Sequence, residues 1–286
     1  GADRGLMADL ASLRDELRSV DRDRYLACLL LPEAVQADVA SLYLFNAEIA
    51  AIRDRIREAI AGEIRLQWWR DALSGERSEE VAANPTASAL IETIERRNLP
   101  RDPFLGMLEA REFDLYDDPM PDRGAYEAYA GHTASVLIQM TAMILDPDRS
   151  QSYAEAAGHA GVAQSVAGHL MMLPLHASRG QVFLPGDLLS ATGLERESFL
   201  SQNQSESIAA AVSGFVAFGR EHLAKARESF GDLPQEGRGA FLPVATTETV
   251  FKRAEKAGPA ALKRAAQPSL LARQWQMWRF ARRNTL

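Results

Sequence analysis

A chain of 286 residues, 47% hydrophobic and 25% charged, is long enough to bury a large core and has the balance of an ordinary globular protein. Its net charge of −7 argues against a nucleic-acid partner held through phosphate neutralisation. The single cysteine, Cys28, lies in the apolar run L-A-C-L-L-L, so no internal disulfide can form and an inert core thiol is expected.

The opening G-A-D-R-G-L-M lacks the basic-then-apolar pattern of a secretory signal, and residues 1–20 are expected to be a flexible terminus. Pro32 followed by Glu33 is a good helix start, because proline fits the first turn and an acid favours the positive end. From Val35 to Ile60 the apolar residues Val35, Val39, Leu42, Phe45, Ile49, Ile52 and Ile56 recur at spacings of three and four, which predicts one helix with a buried stripe. Glu63 to Leu73 reads as a second amphipathic helix, ended by Ser74-Gly75. Further helices are predicted at Ala87 to Arg97, Pro103 to Phe113, Tyr126 to Leu145, Tyr153 to Leu173, Ser205 to Ser229, Thr247 to Lys256 and Leu270 to Arg283. Breakers separate them at Asp117 to Pro121, Asp146-Pro147, Gly180 to Gly186, Gly231 to Gly239 and Gly258-Pro259.

No alternating run argues for a sheet, and no repeat, linker or low-complexity tract marks a boundary. The simplest account is an all-α fold in one domain over residues 1–286. The longest mostly apolar stretch, Ser135 to Leu145, falls short of the ~20 residues that a spanning helix needs. A soluble protein, at most a peripheral one, is therefore expected, and the location expected for it is the cytoplasm or the inner face of a membrane.

Several side chains are candidates for chemistry, each with a plainer alternative. Tyr43, Phe45, Trp68 and Trp69 either line an apolar cavity or fill the core at helical spacing, with core expected for Phe45 and one of the two tryptophans. His169 and His176, two helical turns apart, can share a face, but Pro174 between them argues for a kink and against a metal pair. His132 with Arg179 would suit an anionic head group; satisfied core or rim positions are the alternative for all three histidines. Asp117, Asp118 and Asp122 resemble a spaced acidic motif, yet Pro119 and Pro121 make the segment a solvated loop. Asp114 either faces a cavity or caps and pairs locally. From Lys256 to Leu286 there are seven basic residues and no acid, with Trp275 and Trp278 three apart. That pattern suits a helix docking on a lipid surface or an acidic partner, or the solvated face of a terminal helix packed on the core.

In order along the chain, five stretches resemble the squalene/phytoene synthase family. They are R-Y-L-A-C-L-L-L-P with S-L-Y-L-F at Ser41 to Phe45, I-R-L-Q-W-W-R-D-A-L at Ile64 to Leu73, Y-A-G-H-T-A-S-V at Tyr129 to Val136, G-V-A-Q at Gly161 to Gln164, and R-G-Q-V-F-L-P at Arg179 to Pro185. The resemblance implies the isoprenoid-synthase fold, a large helical bundle with a central cavity. In active members it implies head-to-head joining of two prenyl diphosphates, with Mg²⁺ held by aspartate clusters on two facing helices to neutralise the leaving group.

On this chain the family's first cluster falls on Ala50, Ala51 and Asp54, and the second on Met172 and His176. Asp54 is the weak remaining metal candidate; Glu48, six residues from it, is not its same-face neighbour. A thioether and an imidazole are poor magnesium ligands. The family's phosphate-facing arginine near Asn46-Ala47 is absent, and Gly161 to Pro185 contains no Asp or Glu. By this resemblance the cavity or ligand residues are Tyr43, Asn46, Glu48, Asp54, Trp68, His132, Gln164, His169, His176 and Arg179.

The losses themselves resemble a subgroup. F-N-A-E-I-A-A-I-R-D, Q-W-W-R, Y-A-G-H-T-A-S and H-A-S-R-G-Q-V-F-L-P are similar to the mitochondrial complex I assembly factor 6 group and its bacterial relatives. Two readings follow. One is a non-catalytic protein without cofactor that binds a prenyl chain or other lipid, or respiratory assembly proteins, and touches the membrane through its basic C-terminal segment. The other is an active prenyltransferase using Mg²⁺ through Asp54 and unconventional ligands.

Overall fold

The computed structural model describes residues 2–286, with side chains from residue 10 onward. Of the stretch expected to be flexible, the side chains of residues 1–9 lie outside the described residues. Helices α1 (Ala2–Val20) and α2 (Arg22–Leu29) come first, the second capped by Asp21, which accepts the Arg24 amide at 3.0 Å. Pro32 starts α3 (Glu33–Ala50), and α4 (Ala59–Leu73) and α5 (Ser78–Ala83) follow. Asn84 caps α6 (Pro85–Arg96) through the Ala87 amide, and Pro103 sits in the first turn of α7 (Asp102–Leu115). Asp122 caps α8 (Arg123–Ala130) at 2.8 Å, so this acid of the proline-rich loop is spent on a helix start.

A turn of π-helix, Gly131–Ser135, joins α8 to α9 (Val136–Leu145). Helix α10 (Ala154–Met171) stops at Met172, and Pro174 lies in the first turn of α11 (Leu173–Ser178). Short helices α12 (Gly186–Ala191) and α13 (Arg196–Ser201) lead to the long α14 (Ser205–Phe230), then to α15 (Thr247–Ala257) and α16 (Leu270–Arg283). No strand occurs among the described residues, and the fold is all-α as expected.

Two predicted helices are broken. The Val35 to Ile60 stripe ends at Ala50, and a 3₁₀ turn over Arg53–Arg55 intervenes before α4. The cause is tertiary: the turn carries Ile56 onto Gly62 and Leu115, where a Cβ on Gly62 would overlap both side chains. Asp54 therefore leaves the helix and lies exposed in the turn. The Tyr126 to Leu145 helix is likewise interrupted by the π turn. A Cβ on Gly161 would overlap the backbone and Oγ of Ser135, so α10 crosses that turn almost backbone to backbone.

The helices gather into two units interleaved in sequence: Gly1–Tyr116 with Val136–Tyr153 and Pro234–Pro243, and Asp117–Ser135 with Ala154–Leu233 and Val244–Leu286. The first is built around α3, which is buried along nearly its whole length and packs on α1, α2, α6, α7 and α9. The second is built around the pair α10 and α14, with α15 against both. Cys28 is buried in the first unit, its thiol pushed up to about 12 by burial and bonded to the Gln36 carbonyl at 3.3 Å. It is an inert thiol.

Asp38, on α3 and 1% exposed, is the most deeply buried acid among the described residues of the first unit. Arg96 reaches it at 2.5 Å, Arg97 at 2.7 Å and the Thr93 hydroxyl at 3.3 Å, which ties α3 to α6. Asp38→Ala strands these donors and is expected to cost about 3 kcal/mol in urea unfolding. Arg96→Ala, at a guanidinium that is 56% exposed, should cost about 1 kcal/mol or less.

Candidate functional site

In the first unit, the S-L-Y-L-F and Q-W-W-R segments meet. Phe45 stacks edge-on against Trp69 at 4.9 Å and against Phe104 at 5.9 Å, all three buried. Trp69 is thus core. Trp68 points elsewhere: it is half-buried and donates its indole N–H to Glu80 at 2.6 Å. Tyr43 is fully buried, and burial raises its phenol above the ordinary range against the pull of Arg24, which lies 5.7 Å from its ring. Asn46 is buried, and its Oδ1 has no protein hydrogen-bond partner.

The positions of the first aspartate cluster hold Ala50, the last residue of α3; Ala51, its C-cap; and Asp54 in the turn beyond. Glu48 is the carboxylate within this end of α3. Burial raises its pKa, with Arg55 opposing. Asp114 is spoken for, since Arg111 bonds it at 2.9 Å.

In the second unit, Y-A-G-H-T-A-S and G-V-A-Q meet as well. Ser135 donates its hydroxyl to the Gly158 carbonyl at 2.8 Å, at the crossing that Gly161 makes possible. Beyond it the α10–α11 region is a cluster of rings. His169 stacks on Phe183 at 4.2 Å, nearly parallel, and its Nδ1 pairs with the Tyr126 hydroxyl at 2.6 Å. Tyr126 also reaches Ser165 at 3.0 Å, and its burial raises the phenol pKa.

His176 lies 4.7 Å from the same Phe183 ring and 5.8 Å from His169. The two rings lie close although their residues sit on separate helices, and Phe183 packs against both. Met172 is exposed at the break between the helices. Gln164 is half-buried on α10, with an Oε1 that has no protein partner. His132 is exposed in the π turn, and Arg179 caps the end of α11. Among the described residues, no group of three or more His, Cys, Asp or Glu side chains is arranged to hold a metal ion.

One cluster went unread in the sequence. His222 on α14 pairs through Nε2 with Glu127 at 2.9 Å and through Nδ1 with Nδ1 of His159 at 3.0 Å. A neutral His222 that donates to Glu127 keeps an Nδ1 lone pair to accept from His159. The partners are 63 and 95 residues from His222, so no local spacing announces them.

These helices follow the isoprenoid-synthase fold. A crystal structure of a dehydrosqualene synthase superposes with a TM-score of 0.78 over 98% of each chain, at 18% identity. The chain belongs to the squalene/phytoene synthase family, whose sequence profile matches residues 17–277. Within it, the chain is similar to complex I assembly factor 6 of Rattus norvegicus, 32% identical over 84% of this chain and 72% of that protein. The Homo sapiens protein of the same name is 30% identical over the same shares.

Burial holds the His222 pKa below its ordinary value of 6.5, with Glu127 opposing and His159 and Lys225 adding to the depression. The unfolded chain then takes up the proton first, so stability is full above pH 6.5 and falls as the pH drops below it. Urea midpoints should hold steady from about pH 8 down to neutral and decline below 6.5, with a shallower decline in His222→Gln.

Proposed function

We propose that this protein is a non-catalytic member of its family that assists assembly of respiratory NADH dehydrogenase, and that it works by binding. The observation that carries the reading is the donor set at the two aspartate positions: two methyl groups, one exposed carboxylate in a turn, a thioether and an imidazole packed on Phe183. Magnesium prefers oxygen ligands in near-octahedral order, and these residues do not fit it. Without such a charge clamp, the family's diphosphate leaving group has nothing to stabilise it as it departs.

Similarity to complex I assembly factor 6 supplies the direction of the reading, since that protein's name states an assembly role. The occupant would be a lipid chain or an assembly protein. Asn46 Oδ1 in the first unit and Gln164 Oε1 in the second are among the buried oxygens without a protein partner, and each is an acceptor that a ligand or water would satisfy. The family itself favours the second reading, an active head-to-head prenyltransferase.

The two readings diverge in one assay. With farnesyl or geranylgeranyl diphosphate and Mg²⁺, no pyrophosphate should be released above the enzyme-free control; steady release would establish the transferase. In cells, deleting the gene should lower NADH dehydrogenase activity and its assembled complex. Normal complex I in the deletion strain would remove the assembly role.

A further inference from the structure

Helix α16 carries two apolar faces. One is spent: Met277 and Phe280 are buried, Phe280 lies 5.7 Å from Phe230 of α14, and Gln276 donates to Thr249 of α15. The other is open. Leu271, Trp275 and Trp278 follow at spacings of four and three, on the opposite side of the helix, and are 76%, 55% and 48% exposed. Each indole carries a guanidinium one turn further on, Arg279 at 5.0 Å from Trp275 and Arg282 at 5.0 Å from Trp278.

The flank of this face is basic. Arg279 also lines a groove of about 640 Å³ between α14, α15 and α16, together with Arg227, Lys252 and Arg220. Glu248 and Glu255 bond to Arg220, at 3.1 and 2.9 Å, and Arg227 reaches the Leu286 main-chain oxygen at 3.1 Å, so four cations here meet two acids. No acid occurs from Lys256 to Leu286 in a chain of net charge −7. No described helix is long and apolar enough to cross a membrane.

We propose that the Leu271–Trp275–Trp278 face docks on an anionic phospholipid bilayer, with the indoles at the headgroup level and the neighbouring cations on lipid phosphates. The chemistry selects this occupant. Tryptophan suits a surface that is apolar on one side and wet on the other. Arginine beside it carries charge to the phosphates while its stem covers apolar surface. The acid-free, basic segment is attracted to such a surface while the rest of the chain, net acidic, is repelled by it, and this sets the orientation. The proposal stands independently of the assembly role and of any catalysis.

The test is flotation of the whole protein with phosphatidylcholine vesicles and with phosphatidylcholine–phosphatidylglycerol vesicles, at low and high salt. The protein should float with the anionic vesicles only, with a blue shift in tryptophan emission, and high salt should release it. Trp275→Ala with Trp278→Ala should lower the partition constant about tenfold or more. Arg279→Gln with Arg282→Gln should lower it about 30-fold. All four side chains are exposed, so circular dichroism and melting temperature should stay those of the parent. Equal binding to neutral and anionic vesicles, no binding, or full binding by both double variants overturns the proposal. So does a change in oligomeric state in the tryptophan variant without loss of vesicle binding, which would assign the face to a second copy of the chain.

Discussion

A carboxylate with 1% of its surface exposed has given up nearly all of its hydration, and Asp38 recovers that loss from Arg96, Arg97 and Thr93. The clamp fixes how α3 is rotated against α6. Ser41, one turn on, adds a hydroxyl contact to Thr93 at 3.0 Å. Phe45, two turns from Asp38, is then set against Trp69 and Phe104. The other buried acids of the first unit are paired as well. Asp114 holds Arg111, and Asp146 accepts the buried Tyr153 hydroxyl at 2.6 Å while holding Arg149. In this unit the buried acids are spent on internal bonds, between helices at Asp38 and locally at Asp114 and Asp146.

The second unit handles the same region of its fold without carboxylates. Where the family's second cluster would stand, rings fill the space: His169 flat on Phe183, His176 tilted against it, Tyr126 bonded to His169. His169 Nδ1 and the Tyr126 hydroxyl bond each other, and Phe183 packs against both imidazoles, so the arrangement is a packed wall. Glu127 of the same unit bonds His222. A divalent ion would have to displace a stacking contact or a short hydrogen bond to recruit either histidine, and it would gain only nitrogen donors.

Much of the helical framework was legible because its determinants are local. The α16 boundaries, Leu270–Arg283, coincide with the prediction, since Ser269 caps the start and the arginines close the last turn. Helix α14 ends within a residue of expectation for a similar reason, with Gly231 following it. The break after Ala50 was invisible: A-A-I-R-D-R contains no glycine or proline, and what ends the helix is the fit of Ile56 to Gly62 and Leu115. The π turn at Gly131–Ser135 depends in the same way on Gly161, a partner some thirty positions away. Among the candidate side chains, helical spacing put Phe45 and one of the two tryptophans in the core but did not say which tryptophan. Nothing in Q-W-W-R says that Trp69 turns inward and Trp68 reaches Glu80.

The replaced acids also bear on why the fold survives them. An Asp-Asp-x-x-Asp helix face places like charges one turn apart, and only a bound cation makes that arrangement favourable. On the reading proposed above, a chain that no longer recruits magnesium would carry the repulsion with nothing to offset it. Alanine at positions 50 and 51 removes the repulsion and favours helix up to its end; Met172 and His176 remove it at the second site. None of these changes touches what fixes the helices in place, which is the Asp38 clamp, the Phe45–Trp69 contact and the close crossing at Gly161. The packing that builds the fold and the charges that would do chemistry rest on different residues, so the chemistry can be lost while the scaffold persists to serve a binding role.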